Sequence, residues 1–315
     1  MTNSIICQMR YGFLLKFYFL FFCLWLSIVV RAQIEQYKID SLKTTLSHVN
    51  ADTSRLNLLF SIGESLWFNR QIPEAINYLK QTVSFGEEKK DYRHSCNAQL
   101  LLGHAWLRTA KYDSALTAIT NSLNCSQINA QPEHIPKAYQ AFTILYKQLG
   151  DRGKAIDYGL KAADGYEASN IENINVQSIY AWQDVGKIFE LQQQPDKALE
   201  YYDKALQKAK VKKKDYLIMP PMLGVANVYL TQGRLTDAKK LYEEVVAMDR
   251  KVGGAEPTMD GLNGLGHIAI KEKNYLAAIV YYKIALDTAI RRNLIISIAG
   301  FTSNLGYAYF LYNQY

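Results

Sequence analysis

The sequence predicts an all-α fold, a right-handed superhelical solenoid of antiparallel helix pairs, and three observations predict it. A small residue recurs at Gly63, Gly103, Thr143, Gly186, Ala226, Gly266 and Gly306. An alanine recurs at Ala75, Ala115, Ala155, Ala198, Ala238 and Ala278, and both series advance by 40 residues, with one step of 43. The seven prolines fall outside the helix interiors these series define. A fixed period of this size marks units that cannot bury their own apolar faces and must stack on their neighbours.

Each element follows from the residues around the small positions. Three residues after the first series stand Leu66, Trp106, Tyr146, Phe189, Tyr229, Ala269 and Tyr309. Four after the alanines stand Leu79, Ile119, Gly159, Tyr202, Tyr242 and Tyr282, and three further on Thr82, Ser122, Ala162, Ala205, Val245 and Ala285. Offsets of three, four and seven share one helical face. Small residues let two helices approach and aromatic ones fill the gap to the next. Each unit is therefore helix, short turn, second helix. Pro73 and Pro195 fit the turn within a unit or the first turn of its second helix. Pro132, Pro136, Pro220, Pro221 and Pro257 fit the connection between units or the start of the next first helix, where proline is tolerated.

The pattern Trp182-x₂-Val185-Gly186-x₂-Phe189, followed by Ala198, Tyr202 and Ala205, resembles the tetratricopeptide repeat; Leu262-x₂-Leu265-Gly266 with Ala278, Tyr282 and Ala285 resembles it nearly as well. The resemblance spans residues 57–315 as six complete units and a truncated seventh. The family's usual period is 34, so this is a longer-period variant.

Residues 1–32 read as a secretory signal peptide: an apolar run from Phe17 to Val30 follows Arg10 and Lys16 and ends at Arg31-Ala32-Gln33. We expect cleavage after Ala32; an uncleaved anchor is the alternative, since Tyr11 to Val30 approaches spanning length. Cleavage would lower the net charge from +7 to +4, which gives no reason to expect a nucleic-acid partner. Lys208, Lys210, Lys212, Lys213 and Lys214 form a basic run at a helix end, the ordinary place for solvated cations. Residues 33–56 read as an N-terminal capping helix and linker. Within them, Ile39-Asp40-Ser41-Leu42-Lys43 and Asp52-Thr53-Ser54-Arg55 resemble the leading segment of exported repeat regions in bacterial sensor histidine kinases. At the other end, Leu305-Gly306-x₂-Tyr309 opens a unit whose second helix would lie beyond Tyr315. The expectation is a longer natural chain, attached to a membrane through that further part.

No catalytic constellation is visible. The five histidines lack metal-ligand spacing, and no hydrolase, P-loop or EF-hand pattern occurs. Gly261-x₂-Gly264-x-Gly266 has the wrong order for a phosphate loop. No enzyme activity, metal or cofactor is expected within these residues. Cys96 and Cys125 are the two cysteines outside the leader, at the neighbouring ends of one predicted hairpin. A disulfide between them is the candidate pairing; two independent buried thiols are the alternative.

The family resemblance implies a groove lined by first-helix residues three before, one after and four after each unit's small position. Among these, Trp67, His104, Lys147, Gln183, Lys187, Asn227, Asn263 and His267 are the candidate groove residues. The expected function is binding of a peptide or partner helix by an exported domain. That domain would be the periplasmic, extracytoplasmic sensing part of a membrane-bound two-component signalling protein. The alternative is a free-standing periplasmic scaffold or assembly factor with no signalling output.

Overall fold

The computed structural model describes residues 33–49, 51–252 and 256–314, which form α-helices and turns with no strand among them. The leader segment 1–32, including Cys7 and Cys23, lies outside the described residues. Two compact units divide the chain after Lys111. The first contains α1 (33–48), α2 (Asp52–Phe68), α3 (Ile72–Glu88) and α4 (Tyr92–Arg108). The second begins with α5 (Tyr112–Ile128), α6 (Ile135–Leu149), α7 (Arg152–Glu167) and the short α8 (Glu172–Asn175). It continues through α9 (Gln177–Leu191), α10 (Pro195–Lys212), α11 (Asp215–Thr231) and α12 (Leu235–Val252). Its last helices are α13 (Glu256–Lys271), α14 (Tyr275–Arg291) and α15 (Ile295–Tyr312).

The helices end by a common device. A residue with positive φ follows the last turn at Arg70, Lys90 and Ala110, and in the second unit at Ala130, Gly150, Gln193, Lys213, Gly233, Lys273 and Asn293. In most of these turns the next N–H donates to a carbonyl five residues back, as from Gln71 to Leu66 (2.9 Å) and from Gln194 to Phe189 (3.0 Å). That bond satisfies carbonyls the helix end would leave orphaned. Helix starts are capped at Asp91, Asp151 and Asn274, whose side chains accept from the N–H groups of His94, Lys154 and Ala277. The 43-residue step has a physical cause: α8 is inserted between α7 and α9. Lys212 of α10 reaches Glu172 at the start of this insertion at 2.9 Å, and Lys208 reaches Glu167 at the end of α7 at 2.7 Å. Two members of the basic run are thus engaged within the fold.

One sequence expectation is corrected. α11 runs straight through Pro220 and Pro221, which lie in its interior. Neither has an N–H, so the carbonyls four residues earlier, on Tyr216 and Leu217, lose their ladder partners. The helix nevertheless begins ahead of the prolines because doing so buries Leu217 and Met219, which offsets the lost bonds.

In the first unit, Ile39 of α1 packs with Ile62, Leu66 and Ala75. In the second, buried tyrosines at equivalent places dominate the core: Tyr202, Tyr242 and Tyr282 are at most 2% exposed. Each ring lies against glycine. A Cβ on Gly186 would come within 2.9 Å of the Tyr202 ring, and one on Gly224 within 2.5 Å. Gly264 faces the Tyr242 ring and Gly266 the Tyr282 ring in the same way. The glycine cluster in α13 is therefore a pair of seats for aromatic rings, with Gly261 set against Val246 of α12.

Candidate functional site

The tyrosines that fill the second unit also organise one face of its first helices. Each buried ring passes its hydroxyl between the helices to a polar side chain. Tyr166 donates to Gln140 Oε1 at 2.7 Å, Tyr202 to Glu190 Oε2 at 2.7 Å, and Tyr242 to Asn227 Oδ1 at 2.6 Å. Tyr282 Oη lies 3.1 Å from His267 Nδ1. A buried hydroxyl needs a partner, so the repeat forces an acceptor onto this face in every tyrosine-bearing hairpin. Lys187, one residue after Gly186, has no acceptor atom, and there Tyr202 turns to Glu190 three residues further on. Burial raises the pKa of each of these phenols above its ordinary value; the carboxylate of Glu190 adds to this at Tyr202. They stay protonated donors throughout the physiological range.

α9 packs against α11, and α11 against α13. Between them lies a cavity of about 300 Å³ lined by Gln183, Lys187, Glu190, Leu223, Asn227 and Asp260. Tyr202, Pro220 and Leu191 supply its apolar wall. Three of the sequence-derived groove residues thus meet at one place: Gln183, Lys187 and Asn227. Lys147 lies near them in charge terms, since both Lys147 and Lys187 act on Asp184. Burial nevertheless holds the Asp184 carboxyl above the usual range.

The remaining candidates are engaged elsewhere. Asn263 Oδ1 accepts from Asn304 Nδ2 of α15 at 2.8 Å. His267 is tied to Tyr282, and burial, with Lys271 nearby, lowers its pKa. In the first unit Trp67 carries the Arg108 guanidinium over its ring at 4.5 Å and lies 6.3 Å from the ring of His104. Burial, aided by Arg108, lowers the pKa of His104 to about 4. Cys96 is fully buried in α4, and Cys125 lies in the last turn of α5.

Part of the lining, including Leu191, Gly224, Pro220 and Asp260, stands outside the groove positions the family resemblance implies. Asp260 precedes the unit glycine of α13 by six residues, outside the expected groove positions. The sequence places Pro220 between units or at the start of a helix, whereas it lies in the interior of α11. Among the described residues, no group of three or more His, Cys, Asp or Glu side chains is placed to hold a metal ion, and no helix is long and apolar enough to cross a membrane.

Paired helices stacked through small residues, with a polar cavity across successive first helices, define a helical-repeat interaction module. Residues 177–251 and 224–293 each match a tetratricopeptide repeat family model, so that stretch carries tetratricopeptide repeats. Solved structures agree on the fold. A Rap protein complexed with competence and sporulation factor superposes with a TM-score of 0.58 at 19% identity, covering 85% of this chain and 72% of that one. The apo form of the quorum sensor NprR from B. thuringiensis gives 0.61 at 13% identity, covering 91% and 84%. A signal transduction ATPase with a tetratricopeptide repeat sensor, from Pyrococcus horikoshii, gives 0.67 at 16% identity, covering 85% of this chain and 43% of that one. No curated protein sequence matches the chain. The repeat fold is typically a non-catalytic module for contacts with other proteins.

Proposed function

We propose that this protein is an exported module that captures a peptide or a partner's helix in the groove of its second unit, as the extracytoplasmic sensing part of a membrane-bound signalling protein. The observation that carries the binding role is the cavity where Gln183, Lys187 and Asn227 converge. Amide and ammonium donors beside an apolar wall suit the carbonyls of an extended chain. Sensing draws support from the likeness in fold to the quorum sensor and to the Rap complex. Export draws support from the leader-like residues 1–32 and from the resemblance of residues 39–43 and 52–55 to exported repeat regions.

The binding role is tested by passing a positional-scanning library of acetylated hexapeptide amides over the immobilised protein. Retained peptides should bind about tenfold more weakly to Gln183→Ala and Lys187→Ala, both on the rim of the cavity, a loss of one good polar contact each. A library that passes through unretained would overturn it. Export is tested by fusing residues 1–60 to a reporter active only outside the cytoplasm; an inactive fusion would remove that part of the reading. Export also leads us to propose a Cys96–Cys125 disulfide, worth about 3 kcal/mol by loop closure. Thiol titration of the denatured, unreduced protein should then find neither cysteine free.

A further inference from the structure

Acidic side chains outnumber basic ones in the lining of the cavity. Its lining carries two carboxylates, Glu190 from α9 and Asp260 from α13, against one cation, Lys187. The lysine sits at the exposed rim. Glu190 is fixed in place, one oxygen taking the Tyr202 hydroxyl at 2.7 Å, which leaves the other for a ligand. Both carboxylates act on the Tyr242 phenol, so their fields overlap where Tyr242 meets Asn227. The Asn227 carbonyl oxygen is occupied by that hydroxyl, which leaves its amide donors for the groove. Leu191, Leu223 and Pro220 give the same cavity an aliphatic wall.

A volume of about 300 Å³ is too small for a helix and adequate for a single long side chain. An acidic side chain would meet two carboxylates and one rim lysine. A purely aliphatic one would strip water from both carboxylates without replacing their hydrogen bonds. A side chain with an aliphatic stem and a cationic head matches wall and charge together.

We propose that this cavity is a specificity pocket for an arginine or lysine residue of the bound peptide, with Glu190 and Asp260 receiving its cation and Lys187, Gln183 and Asn227 serving the neighbouring carbonyls. The assignment rests on the reading that the groove binds peptides. The same hexapeptide library separates the two. Sequencing the retained fraction should show arginine and lysine enriched about tenfold at one position, the effect of one buried charge pair. Glu190→Gln keeps an acceptor for Tyr202, and Asp260→Asn keeps its shape; together they should bring that enrichment back to the input level while peptides are still retained. Lys187→Glu, a surface change, should increase the enrichment. Retained peptides with no basic preference, with an acidic preference, or with a basic preference that none of these variants moves would overturn the pocket and leave the groove standing. A library that is not retained at all would remove the groove and the pocket with it.

Discussion

The first hairpin and those that carry Tyr202, Tyr242 and Tyr282 solve the same packing problem with different side chains, and the difference reaches the surface. Behind Gly63 in α2 stands Leu79, at 2.9 Å from where a Cβ would lie. Behind Gly186, Gly264 and Gly266 stand tyrosines. Leucine fills its gap and ends there. Tyrosine fills the gap and delivers a hydroxyl to the far side, where a partner must be present. The residues this selects are Glu190, Asn227 and His267. The corresponding surface in the first unit is Trp67 beneath Arg108. A core choice thus writes the polarity of the groove.

The strongest way to break this relation is to remove a ring. Tyr242→Ala should cost about 3–5 kcal/mol, the usual penalty for emptying an aromatic core site, measured by urea denaturation. Tyr242→Phe keeps the ring and removes only the hydroxyl, so its cost should be about 0.5–1.5 kcal/mol. If the two variants were equally destabilised, the hydroxyl rather than the ring would hold the hairpin.

The seats should respond in proportion to the stiffness of what they hold. Gly264→Ala drives a methyl into the Tyr242 ring, which cannot bend away, and about 1–3 kcal/mol of overpacking is expected. Gly63→Ala meets the flexible end of Leu79 and should cost less. Equal losses at the two sites would contradict the comparison.

Acid bears on both units, since burial lowers the pKa of His267 as well as that of His104, and the shift at His104 is the larger. His104 has a folded pKa of about 4 against an ordinary 6.5, set first by burial and then by Arg108. The folded state therefore binds fewer protons than the unfolded chain between those values. The stability it preserves above pH 6.5 is lost as pH falls toward 4. Between pH 7 and pH 5 the loss should be roughly 2 kcal/mol. Denaturation curves at the two pH values check this, and His104→Gln should reduce the difference. A profile unchanged by the substitution would place the acid sensitivity elsewhere.

The helix pairing was legible because it is written in glycine and alanine at fixed spacing, and a close approach admits few other residues. The turns were less so: left-handed positions fall on Arg70, Lys90, Gln193 and Lys273, where composition gives no warning, while Gly150, Gly233 and Asn293 are of types that favour this conformation. The prolines of α11 misled for a related reason, since a local rule was outweighed by burial of Leu217 and Met219. At the groove, the family positions found Gln183, Lys187 and Asn227. They could not show that Asn263 is taken up by Asn304 or that Asp260 completes the cavity, because both depend on neighbours some 40 residues away in sequence.

The smallest predicted effect has the opposite sign and is the sharpest control. Gly306 of α15 occupies the same place in the repeat as Gly186 and Gly266, yet nothing among the described residues lies within 4 Å of where its Cβ would be. Without a ring to seat, its glycine only weakens the helix. Gly306→Ala should therefore stabilise the protein by up to about 1 kcal/mol, whereas the same change at Gly264 destabilises it. Melting temperatures of the two variants, measured side by side, decide the matter. A loss at Gly306 would mean that this face of α15 is covered in solution by a large side chain, as the equivalent faces of α9 and α13 are covered by Tyr202 and Tyr282.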